Sequence, residues 1–308
     1  MRTYILIFYI FLVACNRGEN EKPPVRHGLA NDLFVIHEYA AFGGEFVVES
    51  SFVHVGDSIG ALYDPHASGS LYFGLFGADF KGLLNKQEIE IPHARFSYVI
   101  NDGDGYSMLV TEGNSVEHYF SSDLKNWTFD QVVLSPSTKS NDLNFQQWNA
   151  SHDFETESKV HVVVESGSSK PNQEDVRLIY YKGENGLGSL EKTNIPDLVS
   201  AGNAWLKYIP GKGLLMVHGT IVLNPDRRWI VQASILREGG SEWLTVEREL
   251  FSIESFGFDI ADPHLIETKD GRILLSFSYN QNKTQTLISK EKISFEELFK
   301  LFEDGVGN

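Results

Sequence analysis

The stretch Asp262-Pro-His-Leu-Ile-Glu-Thr-Lys-Asp-Gly-Arg-Ile-Leu-Leu-Ser-Phe277 decides the reading of the fold. Two short runs rich in Leu and Ile flank a Lys-Asp-Gly turn, which is the pattern of an antiparallel hairpin. Two hundred residues earlier the chain writes Asp64-Pro65-His66, again ahead of an apolar run, Ser70-Leu-Tyr-Phe-Gly-Leu-Phe76. An acid and an imidazole placed twice before a strand suggest a repeated unit.

Five such units can be laid along the chain. The first runs through Gly60–Asp64 and Ser70–Phe76. The second holds Arg95–Ile100, the turn Asn101-Asp-Gly-Asp-Gly105, Tyr106–Thr111 and Val116–Phe129. The third holds Ser151–Glu155, Lys159–Glu165 and Val176–Tyr181. The fourth holds Asn203–Tyr208, a Pro-Gly-Lys-Gly turn, Leu214–His218 and Arg228–Ser234. The fifth holds Asp262–Ile266, Arg272–Phe277 and Thr284–Ser289. Each reads as strand, tight turn, very apolar strand, third strand and outer strand. A period of about 45–50 residues with this order suits the four-stranded blade of a propeller. The expected fold is all-β, a five-bladed β-propeller with four-stranded antiparallel blades. A Rossmann-like sheet is disfavoured because the covering helices are absent. A β-sandwich, the main rival, does not require a fixed repeat of strand order. Helical spacing occurs only in the tail, Ile293-Ser-Phe-Glu-Glu-Leu-Phe-Lys-Leu-Phe302, where Ser294 is a cap.

The N-terminus is read separately. Arg2 precedes the ten-residue apolar run Tyr4–Val13, and Leu12-Val13-Ala14-Cys15 ends it. This resembles a bacterial lipoprotein signal. The resemblance implies removal of residues 1–14, a diacylglyceryl thioether on Cys15, and a cell-envelope location. Asn16 leaves sorting to an outer membrane open. Residues 15–30 form the lipidated cysteine and a polar, Pro-Pro-stiffened tether, and 31–308 the propeller with its short C-terminal helix. Cys15 is the only cysteine, so the domain has no internal disulfide. The expected membrane partner is therefore reached through the lipid. The formal charge of −16, from 26 bases and 42 acids, argues against nucleic acid. It places no bar on neutral sugars.

In a propeller, equivalent residues of successive blades converge on the axis. Asp64 lies seven residues before Leu71 and Asp153 seven before Val160, while Asp262 takes the same place with a longer turn. The spacing therefore predicts that Asp64, Asp153 and Asp262 share one end of the funnel, with His66, His152 and His264 beside them. Glu155 and Glu165 are near in sequence. Hydrolysis of a glycosidic bond needs one carboxyl group as proton donor and another to activate water or attack carbon. A third carboxylate raises the donor's pKa by repulsion. Trp148 and Asn149 offer a flat apolar face and an amide to a sugar ring. An Asp before a strand also caps turns, so each acid alone has an ordinary structural role. No dense His/Cys/Asp cluster demands a catalytic metal, and no cofactor is required; a calcium ion at the axis is compatible with the sequence.

Tyr119-Phe-Ser-Ser-Asp-Leu-Lys-Asn-Trp127 resembles the Ser-x-Asp-Leu-x-x-Trp blade ending of five-bladed propeller glycosidases, as in glycoside hydrolase family 43 and its relatives in families 32, 68, 62 and 117. Tyr63-Asp64-Pro65 is similar to their first-blade aspartate. The resemblance implies a general base at Asp64 and a carboxylate that tunes the acid at Asp153. It also implies a glutamate opening the fourth blade, where this chain has Ala201-Gly202-Asn203 instead. Glu165, Glu155 or a histidine remain as substitutes for that acid. Two functions stay open: a carbohydrate hydrolase, or a glycan-binding lipoprotein with a degenerate site. A protein-binding propeller is a third.

Overall fold

The computed structural model describes residues 32–38, 47–65, 70–77, 82–91, 98–112, 114–135, 145–168, 175–223, 228–250, 260–279 and 283–306. The lipobox, Cys15, the tether and His66 lie outside them. Among the described residues no helix is long and apolar enough to cross a membrane.

The chain is an all-β, five-bladed propeller. Strands β2 (Val47–Val55), β3 (Ser58–Pro65), β4 (Leu71–Phe76) and β5 (Leu83–Ile89) form blade one. Blade two is β6 (Val99–Asn101), β7 (Tyr106–Glu112), β8 (Ser115–Ser121) and β9 (Thr128–Leu134). Blade three is β10 (Phe145–Phe154), β11 (Val160–Ser168), β12 (Arg177–Gly183) and β13 (Leu190–Lys192), with the two-residue β14 (Leu198–Val199) also paired to β12. Blade four is β15 (Ala201–Ile209), β16 (Gly213–Val222), β17 (Arg228–Arg237) and β18 (Leu244–Thr245). Blade five is β19 (Ala261–Glu267), β20 (Ile273–Tyr279), β21 (Lys283–Ser289) and, as its outer strand, β1 (Phe34–Glu38) from the other end of the chain. Pairing of β1 with β21 (Phe34 with Ser289, Ile36 with Leu287) closes the ring by hydrogen bonds between the chain's two ends.

The second strand of each blade lies between neighbouring blades, so both its faces need apolar side chains. Val160–Glu165 of β11 and Tyr106–Thr111 of β7 are buried at every position. The outer strand β5 has five exposed residues in a row between buried ends. The first unit of the sequence reading is corrected by one strand: Gly60–Asp64 belongs to the second strand of blade one, and its first strand is β2. That strand carries Glu49, Ser50, Ser51 and His54, which dilute the apolar signal, and its hairpin turns at Gly56 with φ +57°. The other four units keep their strand order.

Helix α1 (Phe295–Gly305) starts at a full capping box, Ser294 with Glu297. It buries Leu298, Phe299 and Phe302 and seats Phe295 on Trp205 of blade four, with ring centroids 5.2 Å apart.

The Ser-x-Asp-Leu-x-x-Trp phrase is a turn between β8 and β9. Ser121 Oγ accepts from the amides of Asp123 and Leu124, and Asp123 Oδ1 from those of Lys125 and Asn126. These backbone donors hold the Asp123 carboxyl down at about 2. Leu124 is fully buried at φ +64°, and Trp127 Nε1 donates to its carbonyl. The motif is therefore a structural turn within blade two, between its third and fourth strands.

Side chains staple the first strands to one another. Ser51 Oγ accepts from Val99 N at 2.9 Å, Ser151 Oγ from Leu206 N at 3.1 Å, and His264 Nδ1 from Phe52 N at 3.2 Å. These contacts run parallel around the ring: Asn203, Leu206 and Tyr208 follow the course of Asn149, Ser151 and Asp153. The first strands thus all begin at one mouth of the axis and end at the other. Ser151→Ala leaves a buried amide without an acceptor, and a loss of about 1–3 kcal/mol in urea unfolding is expected. An unchanged midpoint would mean that the staple contributes nothing.

Candidate active site

At the mouth where the first strands begin, β-bulges interrupt four of the five inner hairpins among the described residues. Register shifts fall between Val47 and Glu49, Gln147 and Asn149, Gly202 and Trp205, and Ala261 and His264. A bulge bends its strand and re-aims side chains, and bulges gather beside active sites. In blades four and five the extra residues include Asn203 at φ +51° and Asp262 at φ +52°. Asn and Asp are the residue types that enter this left-handed region most readily after glycine. The bulges also set the true equivalences between blades. Asp64 pairs with Glu49 and Glu165 pairs with Asn149, so Asp64 and Glu165 occupy matching places at the ends of second strands. Asp262 matches Asn203.

Asp64, Asp153 and Asp262 are therefore not equivalent positions, as their spacing had suggested. Asp64 is half-buried on β3, Asp262 begins β19, and Asp153 lies near the end of β10 at the opposite mouth. There Asp153 Oδ2 accepts from Tyr208 N at 2.7 Å and meets Lys207 Nζ at 3.1 Å, another staple between blades three and four. Glu155 is at that far end too, paired with Lys159, His161 and Lys182. Neither acid adjoins Glu165.

The histidines point away as well. His152 reaches across to blade two, where Ser107 Oγ lies 2.7 Å from its Nε2. Ser107 also meets His118 Nε2 at 2.8 Å, and His118 Nδ1 meets Asp130 at 2.9 Å. His264 is packed among Phe52, Tyr98 and Trp205. Burial drives His152 and His264 down to about 3, so both are neutral. Trp148 sits at the bulge of β10; only its backbone is described.

What the mouth does assemble is a pair of buried carboxyls. Glu165 reaches from blade three into the start of blade four, where Oε2 accepts from Asn203 N at 2.7 Å. Its carboxyl lies flat on Gly202: a Cβ there would stand 2.7 Å from Cδ and 2.8 and 2.9 Å from the two oxygens. Glu165 of the neighbouring blade therefore lies against Ala201-Gly202-Asn203, the stretch that has no glutamate of its own. Burial, and secondarily the charge of Asp262, push Glu165 up to about 7, although the Asn203 amide works the other way. Burial likewise raises Asp262, opposed by the hydroxyl of Ser278 on Oδ2. Both acids are thus held above the usual carboxylate range, and the charge of Asp262 acts on Glu165. Because Oε2 accepts an N–H, the proton of neutral Glu165 belongs on Oε1.

Among the described residues, three further buried polar atoms at this mouth have no protein partner: Asn149 Oδ1, Asn149 Nδ2 and Asp262 Oδ1. Native proteins rarely leave such groups unsatisfied without a reason. Sequence reasoning had named Asn149, Glu165 and Asp262. It missed Gly202, Asn203 and Ser278, because their importance comes from bulges and close packing. The one signal was negative, the want of a glutamate at Ala201-Gly202-Asn203. Among the described residues no group of three or more His, Cys, Asp or Glu side chains is placed to hold a metal ion.

Gly202 does not require a left-handed backbone, so Gly202→Ala tests the carboxyl's seat alone. The variant is expected to fold, to dislodge Glu165 from Asn203 N, and to lower any Glu165-dependent activity about 10- to 100-fold. Full activity would show that the seat is unimportant.

No family model matches the chain, and no curated protein does. Solved structures do. An endo-arabinase from Bacteroides thetaiotaomicron is similar over 84% of this chain and 98% of its own, with a TM-score of 0.61 and 9% identity. A Bombyx mori β-fructofuranosidase of glycoside hydrolase family 32 gives 0.57 and 16% identity over 85% of this chain; that match covers 63% of the longer insect protein. A structure from family 130, mannoside phosphorylases that include hydrolases of β-1,2-mannosidic linkages, gives 0.55 and 14% over 87% of this chain and 92% of its own. What is shared is the fold. Several glycoside hydrolase families are built on this same five-bladed ring.

Proposed function

We propose that the protein is a glycoside hydrolase acting on an oligo- or polysaccharide, with its site at the mouth that holds Glu165, Asp262 and Asp64. The observation that carries this reading is the buried Glu165, held near neutral pKa beside Asp262. A carboxyl that keeps its proton at pH 6–7 is what a leaving group needs. In this scheme Glu165 Oε1 donates its proton to the glycosidic oxygen as the carbon–oxygen bond breaks. Asp64, from the non-adjacent blade one, takes a proton from the water that attacks the anomeric carbon. Asp262 tunes Glu165, the task the family resemblance assigned to Asp153. Solvent then returns the proton from Asp64 to Glu165.

The fold neighbours supply the first substrates to try. Purified soluble protein is to be screened against arabinan oligosaccharides, β-1,2-mannobiose and sucrose, and against aryl glycosides of the same sugars. Turnover abolished by Asp64→Asn supports the reading. Sugar binding without turnover supports a glycan-binding protein with a degenerate site, and turnover unaffected by that change removes Asp64 from the mechanism. The proposed location is the bacterial cell envelope, anchored through a lipid on Cys15; mass analysis of the membrane-extracted chain tests it.

A further inference from the structure

Asn149 is 3% exposed, stands directly across from Glu165, and has neither side-chain oxygen nor nitrogen satisfied. Asp262, 8% exposed, leaves Oδ1 unsatisfied at the same mouth. A side-chain amide presents an acceptor and a donor side by side, and it reads ligands that offer the complementary pair. Two neighbouring hydroxyls of a sugar ring do so, one donating to Oδ1 and the other accepting from Nδ2. We propose that Asn149 is a specificity-determining residue that reads a vicinal diol on the sugar unit next to the scissile bond, with Asp262 Oδ1 accepting from a further hydroxyl.

The proposal rests on the carbohydrate reading of this mouth and narrows it. The preferred sugar carries an unsubstituted hydroxyl pair at the position facing Asn149. Sugars that are deoxygenated or esterified there are rejected. Discrimination of this kind is strong because a missing hydroxyl leaves buried protein groups unpaired.

The test uses the soluble mature chain and calorimetric binding of the three screened sugars, followed by monodeoxy versions of whichever binds. For one vicinal pair, removing either hydroxyl is expected to weaken binding about 10- to 100-fold in the parent. Asn149→Leu, which is close to Asn in shape, is expected to bind the full sugar as weakly as the parent binds the deoxy forms. It should also make no distinction between them. The same variant, free of sugar, is expected to melt about 2–4 °C higher because two unpaired polar atoms are gone. Equal sugar affinity in parent and variant overturns the proposal. So does hydroxyl discrimination that persists in the variant, or a lowered melting point, which would mean that the amide is satisfied by structural water. Binding with diol selectivity but no turnover keeps the proposal and sinks the hydrolase reading. Absence of any sugar binding sinks both.

Discussion

Replacement of Glu165 by Gln is expected to reduce hydrolysis of an unactivated glycoside by a factor of about 10²–10⁴. Gln keeps the shape and can still accept from Asn203 N, but it has no acidic proton. The loss is therefore expected in kcat, with the fold and sugar affinity retained. It should shrink for aryl glycosides whose leaving group needs no protonation. That dependence on the leaving group separates a proton donor from a residue that merely supports the pocket. An equal loss on every substrate would indicate a structural role, since the Glu165–Asn203 bond also ties blade three to blade four. The limb of the pH–rate profile assigned to the acid is expected to fall as pH rises past about 7, the value set by burial of Glu165 and the charge of Asp262.

The same substitution is expected to stabilise the protein in alkali. Glu165 has its folded value raised from 4.5 to about 7. Its contribution to stability is therefore fully present below about pH 4.5 and is lost as pH rises through about 7. Above that range the parent holds a buried charge at a cost of about 3 kcal/mol. Glu165→Gln escapes the cost, so its melting temperature should exceed the parent's by several degrees at pH 8 and converge with it near pH 4.5.

Acid stability follows the opposite sign and other residues. Burial lowers His152 and His264 to about 3 and His218 to about 4. A base with a lowered folded value stabilises above its unfolded pKa, near 6.5, and loses that contribution as pH falls toward the folded value. Between pH 6.5 and 4.5 the protonation of Glu165 and Asp262 offsets most of this loss. Below about 4.5 the carboxyls are already protonated and the three imidazoles act unopposed, each costing about 1 kcal/mol per pH unit. Thermal melts across pH 3–8 should therefore show a shallow plateau and then a steep fall below about 4.5. A smooth decline from pH 6.5 would mean that the carboxyls are not raised.

Much of the ring was legible in the chain, because a propeller repeats one demand. A second strand packed on both faces must be largely apolar, and Val160–Val164 and Ile273–Phe277, with one polar residue each (His161 and Ser276), state that directly. Blade one was misread by a strand since the serines of β2 are buried in contacts to other blades, Ser50 to Ser276 and Ser51 to Val99 and His264, and so look like surface in the sequence. The closure by Phe34–Glu38 was not legible, as pairing between chain ends leaves no local trace.

The site was legible in its residue types and not in its grouping. Counting seven residues from Asp64 to Leu71 and from Asp153 to Val160 gave a false equivalence, because one interval spans the loop after a second strand and the other spans a hairpin after a first strand. Bulges then shift the register of four of the first strands among the described residues, which spacing cannot show. Glu165 stood out only as an acid ending a valine run. Its meaning comes from a contact 37 positions away, the bare backbone of Gly202.

Two carboxyls at one mouth of the axis, Glu165 and Asp262, are raised by burial toward neutral pH. This elevation is tested most directly by a carbon-13 carboxyl NMR titration of the soluble domain labelled at Glu and Asp side chains. A glutamate resonance titrating near pH 7, absent in Glu165→Gln and displaced to lower pH in Asp262→Asn, is the expected result. Titration of every glutamate and aspartate below about pH 5 would contradict it.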